Sequence, residues 1–225
     1  DKMNLRDLLQ KQLPEYRLNL LLRIGEIAAH EGMTTFLVGG AVRDLLLGRG
    51  NLDMDVVVEG DANALAQKAQ SSMGGEVVSH SRFGTAKYTL GTLSLDLATS
   101  RTEIYYKPGV LPTVRPAPIK DDLARRDFSI NAMALSLHPR SLGELLDPFN
   151  GEADLVNKVV RVLHEKSFID DATRILRGIR YEQRLSFAFD SKTESFIRRD
   201  LSMLDTMSGD RVRHEVERWF IEPRG

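Results

Sequence analysis

Asp53 and Asp55 stand two residues apart at the start of the apolar run Val56-Val57-Val58, shortly after the pair Gly39-Gly40. In a strand, residues i and i+2 share a face, so the two carboxylates project side by side while Leu52, Met54 and Val56 point the other way. Adjacent carboxylates repel unless a cation lies between them. The stretch from Asn51 to Asp61 adds Glu59 and contains no Lys or Arg, so the counter-charge comes from elsewhere in the fold or from a hard divalent ion, Mg²⁺ being the natural one. Taken alone, the tripeptide is better explained as a solvated strand start, since such tripeptides are common in turns and edges. A third acid, Asp96, lies opposite Leu95 and Leu97 in an alternating segment. Three carboxylates converge if that strand runs beside the one of Asp53 and Asp55; otherwise Asp96 is an ordinary outward-facing strand residue.

The elements around these acids supply an anion site as well. Thr34 to Val38 reads as a short buried strand, Gly39-Gly40 as a tight turn, and Ala41 to Leu47 as a helix stopped by Gly48. A helix N-terminus beside a glycine turn offers free backbone N–H groups to phosphate. The glycines match neither the dinucleotide-binding fingerprint nor a Gly-Lys-Ser/Thr phosphate loop, so the spacing suits a nucleoside-triphosphate site without requiring one.

Further along, Arg125, Arg126 and Asp127 precede the core-like Phe128, Ile130, Ala132, Met133, Ala134 and Leu135, with Asn131 one helical turn beyond Asp127. Asp171 and Arg174 are spaced to share a helix face, and Arg177 and Arg180 continue at the same interval. An intrahelical ion pair would account for Asp171 and Arg174 on spacing alone. The five histidines are scattered without metal-ligand spacing, and there is no cysteine, which excludes disulfides and thiolate metal sites.

Organisation is α+β in front and helical behind. Leu5 to His30 has helical spacing interrupted near Pro14 and reads as a connecting helix; Asp61 to Ser72 reads as a helix before strands at Glu76 to Ser79, Thr85 to Leu90 and Leu93 to Ala98. The four prolines between Lys107 and Lys120 predict an irregular loop, Asp121 to Leu137 a return to helix, and Asp147 to Gly151 a turn. From Phe168 onward the pattern is helical. With 225 residues, 42% of them hydrophobic, the chain can build a sizeable core. No apolar run is long enough for a membrane helix and no hydrophobic signal segment is present, which suits a cytoplasmic enzyme. The net charge of −1 lacks the basic footprint of a nucleic-acid binder, so an RNA partner would be held largely by surface outside this stretch, and the chain alone is expected to bind RNA weakly.

The segment Leu37-Val38-Gly39-Gly40-Ala41-Val42-Arg43-Asp44-Leu45-Leu46-Leu47-Gly48-Arg49, followed by Asn51-Leu52-Asp53-Met54-Asp55, resembles the head domain of class II tRNA nucleotidyltransferases and bacterial poly(A) polymerases. Leu95 to Arg101, Asp122 to Ala134 with Arg-Arg-Asp at its centre, and Asp170 to Arg180 resemble three further family motifs in the family's order. Asn51 to Ala62 and Ser79 to Ala86 are most similar to the branch whose head follows DHH and CBS domains. The resemblance covers residues 20–225. It implies a polymerase-beta-like head with a mixed, antiparallel-rich sheet over 21–166, preceded by a linker helix (1–20) and followed by an all-helical neck (167–225). It further implies two Mg²⁺ ions on Asp53, Asp55 and Asp96, with ATP or CTP as substrate and a tRNA 3′ end as acceptor. Gly39, Gly40, Arg43, Asp44, Arg126, Asp127 and Asn131 would meet ribose and triphosphate, Asp171 and Arg174 would read the base edge, and Arg177 and Arg180 would support the triphosphate. Asp170 departs from the family's usual Glu, and the proline-rich loop lacks the charged pattern of many enzymes that add all of CCA, which favours addition of A or CC. A poly(A) polymerase and a non-catalytic RNA- or nucleotide-binding module are the other readings; retention of all three acids speaks against the last.

Overall fold

The computed structural model describes residues 4–50 and 53–221. Residues 1–3, Asn51, Leu52 and 222–225, on which the start of the expected linker helix, the residues just before the Asp-x-Asp motif and the last residues of the expected neck fall, lie outside the described residues. Two helices, α1 (Arg6–Gln12) and α2 (Glu15–His30), lead into β1 (Thr34–Val38), α3 (Gly40–Leu46), β2 (Asp55–Glu59) and α4 (Ala62–Met73). Then come β3 (Glu76–His80), β4 (Thr85–Leu90), β5 (Leu93–Thr99) and a ribbon of β6 (Arg101–Ile104) and β7 (Thr113–Pro116). α5 (Ile119–Ala124), β8 (Ala134–Ser136), β9 (Leu145–Leu146), α6 (Gly151–Val156) and β10 (Val159–Val160) complete the front. The back holds α7 (Ser167–Asp170), α8 (Thr173–Leu185), β11 (Ala188–Phe189), α9 (Ser191–Asp200) and α10 (Gly209–Ile221).

The main sheet has seven strands in the order β3-β4-β5-β2-β1-β8-β9, antiparallel except for the pair β2 and β5. Alternation divides its residues cleanly. Leu37, Val56, Val58, Leu95 and Leu97 enter the large core beneath α2 and α4, whereas Phe36, Val38 and Val57 form a smaller cluster with Ile119 and Leu123 of α5. Asp55 shares the face of Val57, so α5 and the residues after it border the acids. α4 is fixed at its start by Asp61, whose carboxylate accepts from the backbone N–H of Asn63 and Ala64 at 3.0 and 3.1 Å. α2 lies directly on the sheet end: a Cβ at Gly25 would stand 2.1 Å from the Leu137 carbonyl oxygen.

Several sequence expectations are corrected. Asp121 to Leu137 is not one helix: α5 ends at Ala124, a 3₁₀ turn covers Ser129–Asn131, and β8 then pairs with β1. The short apolar run there suited either period, and sheet pairing decided it. The proline-rich stretch carries β7, which tolerates its prolines because the ribbon has only two strands; Pro116 stands at the end of the register, opposite Arg101. The helical back is interrupted by β11, parallel to β10. α2 runs through residue 20, and Leu9, Leu13, Leu20 and Leu21 are buried in the same core as the sheet, so this segment packs on the head instead of leading to it as a connector. That core also takes in Ile175, Tyr181 and Leu185 of α8. Among the described residues no helix is long and apolar enough to cross a membrane.

Candidate active site

β2 and β5 place Asp55 and Asp96 side by side in the ladder. Asp53 precedes β2 and is tied to it, the Asp55 N–H donating to its carbonyl at 3.1 Å, while the Asp96 N–H donates to the Met54 carbonyl at 3.1 Å. Among the described residues none of the three side chains forms a hydrogen bond or ion pair. Asp55 opens onto a cleft, yet its carboxyl is pushed up, first by lost hydration at the cleft wall and then by Asp96 and Asp53, with only Arg126 opposing. Three oxygen-only ligands, two of which hinder the ionisation of Asp55, suit a hard divalent cation in donor type and charge. They are not gathered into a ready cage: no group of three or more acidic or histidine side chains among the described residues is close enough to hold a metal as it stands.

The glycine turn works through its lack of a side chain. Gly39 has φ 64° and ψ −128°, and a Cβ there would lie 2.9 Å from Nη1 of Arg126. The guanidinium of Arg126 therefore rests against the turn, its Nη2 donating to Asp122 at 2.9 Å and its buried Nε lacking a protein partner. Burial lowers its affinity for the proton and Asp122 opposes that. Arg43 is tied down within the fold: its Nη1 donates to Asn131 Oδ1 at 2.7 Å and its Nε to Asp44 at 3.0 Å. Asn131 in turn donates to Asp127 at 3.1 Å, and Arg177 donates to Asp127 through Nε at 2.9 Å. Burial alone would raise the Asp127 carboxyl, but Arg177 and Asn131 hold it below the usual range. The Asp127 and Asn131 pairing expected of a helix is thus made by the 3₁₀ turn.

Asp171 is not on a shared helix face with Arg174, as the spacing suggested; it sits between α7 and α8 with extended backbone (φ −146°). Its Oδ1 accepts from the N–H and hydroxyl of Thr173, the first residue of α8, at 3.1 and 2.6 Å. Arg174 is buried on α8 and makes no ion pair with Asp171. Its Nη1 donates to the carbonyl and hydroxyl of Ser167 at 3.2 and 3.1 Å, and its Nη2 to the Arg125 carbonyl at 2.8 Å. Of five donors, two remain, in a plane fixed by the other three. Asp170 stands 3.8 Å from His164, away from this pair.

A cleft of about 820 Å³ between the sheet and α8 gathers Gly39, Gly40, Arg43, Asp53, Asp55, Arg126, Asp127, Asn131, Asp171, Arg174, Arg177 and Arg180. Asp44 and Asp96 are not on its wall. Sequence reading passed over Asp122, fully buried between Arg125 and Arg126 although its spacing to both, three and four, was visible, and also Arg211 and Glu215 of α10.

Residues 35–161 match the model of the poly A polymerase head domain. An A-adding tRNA nucleotidyltransferase of Halalkalibacterium halodurans is 47% identical over 95% of this chain and 51% of its own length. Among solved structures, a CCA-adding enzyme in an apo form superimposes with a TM-score of 0.93 at 42% identity, covering 98% of this chain and 53% of that one. The Thermotoga maritima CCA-adding enzyme complexed with tRNA gives 0.86 at 41% identity, covering 98% and 51%. The chain spans about half the length of these relatives. On the extent of these matches, the chain belongs to the family of tRNA nucleotidyltransferases and poly(A) polymerases.

Proposed function

We propose that this chain is the head and neck of a template-independent tRNA 3′-end nucleotidyltransferase that adds C or A from CTP or ATP in the cytoplasm. The observation that carries the reading is the meeting, in one cleft, of the carboxylates beside β5, the unpartnered Nε of Arg126 and the Asp171 and Arg174 pair. Solved neighbours at 41% and 40% identity are complexes of CCA-adding enzymes with ATP and CTP, which supports both nucleotides as substrates. The Halalkalibacterium halodurans relative is named A-adding, which favours addition of A.

In the reaction the 3′-oxygen of the RNA attacks the α-phosphorus, the bond from that phosphorus to the bridging oxygen breaks, and pyrophosphate leaves as the hydroxyl proton passes to solvent. Asp53, Asp55 and Asp96 would hold Mg²⁺, which when bound supplies the charge that acidifies the attacking hydroxyl and steadies the pyrophosphate; two ions suit the chemistry. Arg126 binds the triphosphate from the glycine turn. Asp127, locked by Asn131 and Arg177, accepts from the ribose. Asp171 and the two remaining donors of Arg174 meet the amine and ring acceptor shared by adenine and cytosine. The family's domain division, a head to 166 and a neck from 167, goes with this assignment.

Labelled ATP and CTP offered with Mg²⁺ to tRNAs ending at the discriminator base, after C and after CC test the reading. One to three additions support it, and the acceptor used tells A from CC from CCA. Long homopolymeric tails would instead favour a poly(A) polymerase, and no incorporation by the whole gene product would overturn the catalytic reading.

A further inference from the structure

We propose that Arg211, on α10, is a positioning residue that sets nucleotide choice by fixing the free oxygen of Asp171. This rests on the reading of Asp171 and Arg174 as the base-reading pair. Asp171 lies outside regular helix, so nothing in its own element holds its carboxylate plane. Thr173 takes Oδ1 alone. One anchored oxygen leaves the group free to swing. The second anchor is Arg211, whose Nη2 donates to Oδ2 at 3.1 Å from a helix forty residues later in the chain. Both side chains line the cleft, and neither is fully buried, with 34% of Arg211 and 18% of Asp171 exposed.

The rest of α10 supports this placement. Glu215, one turn beyond Arg211 on the same face, lies 3.3 Å from Arg180 and 3.7 Å from Arg177, so α10 is clamped to α8 by buried charge. Arg211 is thereby held at a set distance from Asp171. Its bond occupies one lone-pair site of Oδ2 and leaves the other facing the cleft. A carboxylate accepts hydrogen bonds and donates none. Such an acceptor takes the exocyclic amine of adenine or cytosine and repels the carbonyl that guanine or uracil presents at the same place. A carboxylate free to turn loses that discrimination.

The test compares Arg211→Ala, Arg211→Met and Asp171→Ala in the whole gene product, measuring kcat and KM for ATP, CTP, GTP and UTP, with inhibition by inorganic tripolyphosphate as control. For Arg211→Ala we expect KM for the preferred nucleotide to rise about tenfold, the effect of losing one charge-assisted hydrogen bond. The preference over GTP and UTP should narrow by a similar factor, with tripolyphosphate inhibition unchanged because the triphosphate end is untouched. Arg211→Met keeps the packing of the stem and decides the matter should alanine disturb folding. Unchanged nucleotide preference in the Arg211 variants, with a shifted preference in Asp171→Ala, would overturn the proposal and leave the base-reading pair standing. An unchanged preference in Asp171→Ala would remove the base-reading assignment itself, and the role of Arg211 with it.

Discussion

Asp55 and Asp96 face the same ladder position on adjacent parallel strands, the one parallel pairing in the main sheet. The register of this pair sets the two acids side by side, so the fold itself brings these charges together. Asp55 responds with a raised carboxyl pKa, through lost hydration and then through Asp96 and Asp53. A carboxyl raised by folding favours the native state at low pH and loses that contribution as pH rises through its folded value, so ionised Asp55 costs stability at neutral pH. Asp55→Asn should therefore raise the melting temperature by roughly 2 °C near pH 7. The gain should fade as pH falls through the raised folded value of the wild-type carboxyl and be gone once the ordinary carboxylate range is passed. Incorporation should be abolished, and Mg²⁺ should raise the melting temperature of the wild type but not of the variant. A variant less stable than wild type at pH 7 would contradict the account.

Asp122 organises the arginines from behind. It is fully buried and accepts from Arg126, from Arg125 and from the Arg101 backbone N–H at 3.0 Å. Asp122→Asn keeps the volume but leaves Arg126, already disfavoured by burial, short of its counter-charge. We expect a loss of about 3 kcal/mol in chemical denaturation. KM for the nucleotide should rise more than kcat falls, because the arginine meets the triphosphate. A folding loss with unaltered KM would mean that Asp122 serves the core alone.

Residues whose role is set by local spacing were legible in the sequence. The strands of Asp55 and Asp96 and the Gly39-Gly40 turn follow from alternation and glycine. Residues whose role is set by distant partners were misplaced. Asp171 looked helical because its interval to Arg174 fits a helix, yet its place depends on Thr173 and on Arg211. Sequence left Arg43 open to substrate or to a partner within the fold, and the partner, Asn131, lies 88 residues away. Nor could the run after Phe128 declare itself, since a three-residue strand offers too few positions for a period to appear and only β1 selects it.

Arg177 joins α8 to the segment between α5 and β8 through Asp127, its Nη2 lying 2.7 Å from Oδ2. Arg177 and Asn131 hold the Asp127 carboxyl below the usual range, so this pair contributes stability above the ordinary carboxylate pKa and loses it as pH falls through the depressed folded value. Arg177→Met removes the partner and leaves a buried acid that burial alone pushes upward. We expect about 3 kcal/mol lost at pH 7, with the gap to wild type narrowing in acid as Asp127 is protonated in the variant. Urea unfolding across pH 3–7 measures this; a gap independent of pH would mean that the lost contribution is packing, not charge.

Gly39 is where backbone strain and substrate binding meet. Its φ of 64° with ψ of −128° is open to glycine and costly for other residues, and a Cβ would also press on Nη1 of Arg126 at 2.9 Å. Gly39→Ala should cost about 1–3 kcal/mol of stability from backbone strain. It should also weaken nucleotide binding, because the guanidinium has to leave the turn. The two effects separate in a double-mutant cycle with Arg126→Ala. If the arginine contact matters, the alanine at 39 should still lower stability in the Arg126→Ala background but add little to its already raised KM. Full additivity in KM would show that Gly39 acts through the turn's backbone and not through its contact with Arg126.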